Sequence, residues 1–404
     1  MPRQKAGRSH RAGRSRPPGL AGTAVPRIAK AECFVFRAPI AVPIRTSFGT
    51  MPDRPAVFIR LEDTEGVFGW GELWSNFPSV GAEYRARLFA AVIAPRLMGY
   101  QPGSDPASFW RETDHSLHIP GLQTGEPGAF AAALAGADIA LHDLAARRAG
   151  VALWQFLDGQ DSSPVPVYAS GINPGEAAPG MIEAARGAGF RGFKVKLGFG
   201  EKEDLATLGA VSSQLMPGER LMVDINQKWN GRTASRMAAA FAGFPLSWIE
   251  EPIAADRPAR EWRLVAEASR APLAAGENLR GFHAFERALR TGAISVMQPD
   301  LCKWGGLTAG MLVARMVLAA NRVFCPHFLG AGVGLMASLH LLAAVRGPGM
   351  AEMDVNPNPL REDLLRGVLA VENGAVALPS SPGLGFEPDL SPFLDLRTLH
   401  IEVH

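Results

Sequence analysis

At 404 residues the chain is long enough for two domains, or for one barrel with additions. Its 47% hydrophobic and 20% charged residues are an ordinary globular balance, and a net charge of +2 makes no general case for nucleic-acid binding. No run of about 18 apolar residues occurs, so no transmembrane helix is expected. Three cysteines, Cys33, Cys302 and Cys325, are too few and too scattered for a disulfide framework or a zinc site. They fit a reducing cytoplasm, with Cys302 and Cys325 in or beside apolar runs and read as buried thiols.

Residues 1–25 carry Arg3, Lys5, Arg8, Arg11, Arg14 and Arg16 without an acid among the first sixteen, and are predicted to be a disordered basic leader. No apolar stretch follows to make a secretory signal; an organellar transit peptide or an early translation start would look the same. From there to residue 158 the pattern is that of a small α+β capping domain. Three strands are predicted over 28–36, 56–62 and 66–72, with the stretch 43–52 between the first two read as a loop suited to a lid. Helices follow over 82–97 and 129–148, the second with a small-residue face of Ala131, Ala132, Ala135 and Gly136 suited to close packing.

After Pro164 strand-like and helix-like runs alternate. Strands are predicted at 165–169, 192–197, 220–225, 247–251, 273–277, 294–299, 322–326 and 350–355, most of them followed by a helix, such as 179–188, 204–215, 232–242, 257–268, 281–291 and 308–320. Eight such units predict a (β/α)8-type barrel over residues 159–370. An open doubly wound sheet would carry a G-x-G-x-x-G turn after its first strand, and none is there. The Gly- and Pro-rich segment 371–404 is expected to return to the capping domain.

In such a barrel the functional residues lie at the C-terminal ends of the strands. The second strand, Gly192-Phe193-Lys194-Val195-Lys196-Leu197, turns both lysines to one face and its apolar residues to the other. Taken alone it would be a solvated edge strand. The next ends carry Asp224, then Glu250 and Glu251, then Glu277, Asp300, His327 and Glu352. Single acids at strand ends are ordinary loop-facing groups. Three on consecutive strands repel unless a cation lies between them, and the hard oxygens of Asp224, Glu250 and Glu277 suit Mg2+ better than zinc. Lys196 and His327 are the candidate proton-transfer groups, with Asp300 placed to hold the His327 ring. Beside a cation and a second lysine, the Lys196 pKa is expected to fall.

This set resembles the enolase superfamily, and within it the mandelate racemase branch, over residues 28–390. Gly136-Ala137-Asp138-Ile139-Ala140-Leu141-His142-Asp143-Leu144 also looks like that family's helix leading into the barrel. The resemblance implies Asp224, Glu250 and Glu277 as Mg2+ ligands and Lys196 as a general acid/base. It implies Lys194 as the group neutralising the substrate carboxylate, and His327 with Asp300 as the second acid/base. It implies Glu352 as a hydrogen-bonding partner of that carboxylate. A muconate-lactonising enzyme would carry lysine where Asp300 stands; Lys303 is three residues too late. One departure is the stretch Leu329-Gly330-Ala331-Gly332-Val333-Gly334, which reads as looser than in mandelate racemase.

The shared chemistry is removal of a proton α to a carboxylate, with Mg2+ and Lys194 stabilising the enediolate. The expected reaction is dehydration of a sugar acid to a 2-keto-3-deoxy acid. A racemase or epimerase using the same two bases is the alternative, and a non-catalytic metal-binding homologue the third reading. The partner is then a small-molecule carboxylate, with no nucleic acid and no membrane; the resemblance also implies a homo-oligomer. Substrate choice is assigned to the lid at 45–51, where Arg45 could meet a distal carboxylate or simply face solvent, to residues 73–77, and to Arg280.

Overall fold

A computed structural model describes residues 25–45, 49–101 and 105–404. The basic leader, save Val25, and residues 46–48 of the expected lid lie outside the described residues; of Arg45 only the backbone is described.

The chain opens with an antiparallel sheet of β1 (Ile28–Arg45), β2 (Thr50–Asp63) and β3 (Phe68–Leu73). The first two strands take most of the stretch read as a loop, since Ile44 pairs with Met51 and Arg45 with Thr50. Pro43 falls in a register shift between Pro39 and Ile44, where no ladder bond is required of it. Helical segments follow at Gly81–Leu88, Phe89–Ile93 and Ala94–Leu97, then at Ala107–Thr124 and Pro127–Ala149. The helix Ala107–Thr124 is absent from the sequence reading: Pro120 interrupts its pattern, and Ile119 and Leu122 are exposed.

The helix Pro127–Ala149 lies on β3 at backbone contact. A Cβ on Gly71 would stand 2.0 Å from the Gly136 carbonyl oxygen, so the small-residue face is what admits the strand. By length and composition it is the one helix among the described residues that could cross a membrane, and it is buried in the core instead. Its two aspartates tie it to the rest. Asp138 accepts from the Thr308 N–H (2.9 Å) and hydroxyl (2.5 Å), which caps the barrel helix Gly306–Ala319. Asp143 accepts from the N–H groups of Trp70 (2.8 Å) and Leu384 (2.7 Å).

Eight parallel strands follow: β4 (Val165–Ile172), β5 (Gly192–Lys196), β6 (Arg220–Asp224), β7 (Leu246–Glu250), β8 (Leu273–Ala275), β9 (Ile294–Met297), β10 (Val323–Phe324) and β11 (Ala351–Asp354). Their ladder runs without a break from β10 down to β4 and on to β11. The seam between β10 and β11 is spanned by the Glu352 N–H donating to the Pro326 carbonyl at 3.4 Å, which brings the (β/α)8-type barrel round on itself. A hairpin, β12 (Val371–Glu372) and β13 (Ala375–Val376), adds to β4 on the barrel. Only after it does the chain reach β14 (Arg397–Val403), antiparallel on β1. Cys33, Cys302 and Cys325 are buried free thiols.

The interior of the barrel is layered. Tyr168, Met222, Trp248, Ala274, Val296, Cys325 and Met350 form an apolar floor. Gly192 completes it, since a Cβ there would stand 3.0 Å from that of Tyr168. Two residues further along each strand the inward position comes round again, now above the floor. Those positions are Ser170, Lys194, Asp224, Glu250, Gly276, Gln298, His327 and Glu352. The switch from apolar to polar at i+2 is what turns a packed core into a site.

Gly71→Ala is expected to destabilise the fold by roughly 3 kcal/mol or more, because its Cβ meets backbone rather than a movable side chain. Gly180→Ala, in the helix Ala177–Gly187 with nothing within 4 Å, is expected to be neutral or to stabilise by about 0.5–1 kcal/mol. Urea unfolding midpoints check the pair; equal midpoints would contradict the close helix–strand contact.

Candidate active site

Each strand contributes its polar end to one mouth. Lys194, 1% exposed, places Nζ 2.7 and 2.8 Å from the two Glu250 oxygens and 2.7 Å from Glu352 Oε1, with the Tyr168 ring beneath it at 5.5 Å. Glu250 also accepts from Trp248 Nε1 (3.2 Å) and Gln298 Nε2 (2.6 Å), and Glu352 from the Ser170 hydroxyl. Lys196 Nζ lies 2.6 Å from Asp224 Oδ2 and 3.0 Å from Asn226 Oδ1. His327 is held from both sides: Asp300 Oδ2 is 2.8 Å from Nδ1 and Glu277 Oε2 is 2.5 Å from Nε2. Glu352 Oε2, buried and without a hydrogen-bond partner, lies 3.8 Å from His327 Nε2.

The eight residues singled out from the sequence therefore meet at one place. Asp224 and Glu250 are register partners on β6 and β7. Glu277 follows β8 across Gly276, whose Cβ would stand 2.5 Å from the Gln298 backbone nitrogen, so glycine there lets β8 and β9 close. The three expected ligands are nevertheless drawn onto bases rather than onto each other: Glu250 onto Lys194, Asp224 onto Lys196, Glu277 onto His327. Their oxygens do not all come within 4.8 Å of one another.

A fourth acid joins them. Glu251 is buried, has φ +40°, and is not among the ligands expected from the sequence. Strand alternation would turn it outward behind Glu250, but its left-handed backbone ends the alternation. Asn278 Nδ2 gathers it with Glu277, at 3.0 Å from each Glu251 oxygen and 2.8 Å from Glu277 Oε1. Asn226 and Gln227 also have positive φ at the end of β6. Such backbone outliers at the mouth of a barrel mark a functional site rather than a folding requirement.

Electrostatics follow the geometry. Burial pulls Lys194 down, but Glu250 and Glu352 outweigh it and hold the ammonium well above its usual range. Burial and Lys194 lower Lys196, yet Asp224 at contact distance raises it on balance; the fall expected beside a cation requires Asp224 to be drawn off. His327 is likewise held as a cation, with Glu277, Glu352 and the Asp300 hydrogen bond overcoming burial. Burial, with Asp224 and Glu352 nearby, pushes Glu250 up to about 7, and burial, Glu277 and Asp224 push Glu251 well above the carboxylate range.

Six carboxylates (Asp224, Glu250, Glu251, Glu277, Asp300 and Glu352) thus face four basic side chains (Lys194, Lys196, Lys303 and His327). The formal excess is two negative charges, and the donors are all hard oxygens. That set fits one divalent cation of the Mg2+ type.

The stretch after His327 is tied down rather than loose. Gly332 and Gly334 begin the helix Gly332–Val345, and Glu72, at the end of β3, accepts from the N–H groups of Ala331 (2.6 Å) and Gly334 (2.8 Å). Asn76 Nδ2 donates to the Leu329 carbonyl (2.6 Å) and Asn358 Nδ2 to that of Gly330 (2.9 Å). The glycines serve this capping geometry, since a Cβ on Gly330 would stand 2.6 Å from Glu72 Oε1. At β11, Asp354 forms a buried ion pair with Arg54 of β2 and, at 3.2 Å, with Arg361. Glu72, Asn76 and Arg54 lie remote in sequence from the strand-end acids; Asn76 falls in the stretch 73–77 assigned to substrate choice, and no motif pointed to Glu72 or Arg54.

Residues 30–158 match the mandelate racemase/muconate lactonizing enzyme N-terminal domain, and residues 180–391 the enolase C-terminal domain-like family. The chain is 31% identical over 361 residues to a D-galactarolactone cycloisomerase of Agrobacterium fabrum, covering 85% of this chain and 92% of that one. A mandelate racemase/muconate lactonizing enzyme structure from Bordetella bronchiseptica RB50 superposes with a TM-score of 0.84 at 44% identity, covering 92% of this chain and 99% of the other. An L-talarate dehydratase from Polaromonas sp. JS666, complexed with Mg and L-glucarate, superposes with a TM-score of 0.81 at 27% identity, covering 94% and 99%.

Glu72 offers a pH test of the contact between β3 and the loop after His327. Burial, the largest influence, outweighs its backbone hydrogen bonds and raises it from 4.5 to about 7. The folded state therefore holds a proton that the unfolded chain loses first, so Glu72's contribution to stability falls as pH rises from 4.5 to about 7. In Glu72→Gln that slope disappears. The unfolding free energy of the variant relative to wild type is expected to climb across this window and level off above it. Urea unfolding at a series of pH values checks this; a difference independent of pH would refute it.

Proposed function

We propose, from the premise that the chain belongs to the mandelate racemase/muconate lactonizing enzyme family of the enolase superfamily, that it is a Mg2+-dependent dehydratase of sugar acids. The observation that carries this reading is the His327–Asp300 pair, three strands round the barrel from Lys196, with Glu352 on an intervening strand and in contact with Lys194. Two proton-transfer groups on separate sides of one anion-binding floor suit removal of a proton and departure of a hydroxyl from adjacent carbons.

Lys194 Nζ and Glu352 receive the substrate carboxylate above the Tyr168 ring. Asp224, Glu250 and Glu277 would hold the Mg2+, which supplies positive charge where the enediolate develops and engages carboxylates that otherwise keep Lys196 and His327 protonated. Lys196 Nζ, as the free amine, takes the proton from C2. Asp300 Oδ2 fixes the proton on His327 Nδ1, so Nε2 faces the substrate. Nε2 then gives a proton to the C3 hydroxyl as the C3–O bond breaks and water leaves. The resulting enol tautomerises to the 2-keto-3-deoxy acid. The L-talarate dehydratase and the D-galactarolactone cycloisomerase act on sugar-acid compounds by name, which supports the substrate class.

Incubation with Mg2+ and a panel of aldonic and aldaric acids is expected to give a 2-keto acid from at least one of them. Chelation with EDTA should abolish the reaction and added Mg2+ restore it. No keto acid from any member would sink the proposal. Deuterium entering C2 from solvent without loss of water would make the enzyme a racemase or epimerase, and bound Mg2+ without any turnover a non-catalytic homologue.

His327→Asn is expected to lower kcat for dehydration by about 10²–10⁴-fold. Exchange of the C2 proton through Lys196 should survive better than elimination. Comparing NMR-detected exchange with product formation checks the assignment; undiminished elimination would remove His327 from that role.

A further inference from the structure

Between the capping domain and the mouth lies a small cavity of about 70 Å³, lined by Trp74, Arg85, Asn278, Arg280 and Lys303 and closed on one side by Glu277. The reaction steps proposed above use none of Trp74, Lys303 and Asn278, yet these three are joined in series. Trp74 follows β3, and its N–H donates to the Cys302 carbonyl at 3.1 Å, which fixes it beside the turn carrying Lys303. Lys303 Nζ lies 4.8 Å from the centre of the Trp74 ring, and the Arg85 guanidinium also lies over that ring, at 5.1 Å. Lys303 Nζ then donates to Asn278 Oδ1 at 3.1 Å.

This last contact has a directional consequence. A lysine can only donate, so Asn278 must turn its oxygen to Lys303 and its NH2 to the other side. On that side stand the partly buried Glu277 and the buried Glu251, and the single Nδ2 donates to both. Without Lys303 the amide is free to reverse, and its oxygen would then face two carboxylates. Lys303 also lies 3.8 Å from Glu277 Oε1. The ring of Trp74 limits the positions open to the Lys303 side chain, so a residue of the capping domain takes part in aiming an acid of the barrel.

We infer that Trp74, Lys303 and Asn278 are positioning residues that orient Glu277 and Glu251 toward the cation, so that the seating of the capping domain sets the affinity for Mg2+. The inference rests on the Mg2+-dependent reading above. Groups placed this way behind metal ligands commonly govern affinity without touching the ion.

Calorimetric titration of EDTA-treated full-length protein with MgCl2 tests it without recourse to turnover. Wild type is expected to bind one Mg2+. Lys303→Met and Asn278→Leu are expected to bind 10–100-fold more weakly, and Trp74→Ala about tenfold more weakly, while Trp74→Phe, which keeps an aromatic face, should recover most of the loss. Lys303→Met made in the Trp74→Ala background should add less than it does alone, because the two act in series. Thermal unfolding of the metal-free variants separates misfolding from lost affinity. Should Trp74→Ala not fold, Lys303→Met against Asn278→Leu and Trp74→Phe carry the comparison. Wild type that fails to bind Mg2+ would overturn the metal reading itself. Wild type that binds, with Lys303→Met and Asn278→Leu binding equally well, would overturn only the positioning role.

Discussion

Buried like charge is the constraint on which the rest of this structure depends. Two carboxylates 4 Å apart repel by about 4 kcal/mol at the effective dielectric of a partly buried site, and six of them share one barrel mouth. Such a group persists only when every acid is answered. Lys194 answers Glu250 and Glu352, Lys196 answers Asp224, and His327 answers Glu277 and Asp300. With Lys303 and Glu251 counted, the formal answer is still two charges short; burial meets part of it by favouring the neutral acid at Glu251, and a divalent cation would meet the rest. Removing the lysines from this account would leave an arrangement no folding requirement explains, because an apolar layer at the same height would pack as well.

The barrel and its mouth were legible because both rest on period two. Eight apolar runs separated by helical segments allow few other folds. The inward positions then follow by counting, from Met222 to Asp224, from Trp248 to Glu250, from Cys325 to His327. Counting fails where the backbone leaves the strand. Glu251 at φ +40° is the case in point: the pair Glu250-Glu251 reads as one inward and one outward acid, whereas the structure brings the second beside Glu277. The pairing of Lys196 with Asp224 was missed for a related reason. The sequence shows the neighbouring lysine two residues away but not the 2.6 Å contact with Asp224 from the next strand, and the nearer charge decides.

What the sequence could not show is which residues join the two halves of the chain. Glu72 reaches Ala331 and Gly334 across more than 250 positions, and Arg54 reaches Asp354 across 300. These pairings have no period, no motif and no local propensity; they exist only once both folds are formed. The glycines at 330–334 illustrate the difficulty. Read locally they signal slack, but Gly330 leaves room for the Glu72 carboxylate, Gly332 for Leu364 and Leu365, and Gly334 for the Phe328 ring and Cys302, so the segment following His327 is firmly held.

The division of labour between the domains follows. A barrel fixes side chains on strand ends to within fractions of an ångström, but its mouth opens to water, and water would screen every charge gathered there. The capping domain meets the mouth at three strand ends: Arg54 at β11, Glu72 and Asn76 beyond β10, and Trp74 beyond β9. None of these contacts is apolar packing alone; each engages a charge or an unpaired backbone group that the barrel leaves unsatisfied. A cap attached in this way is registered against the strand ends by the same polar groups that form the site. Displacing it would do more than admit solvent: the N–H groups of Ala331 and Gly334 would lose their acceptor, and Asp354 one of its two arginines. The site and its cover are therefore one electrostatic structure built from both ends of the chain.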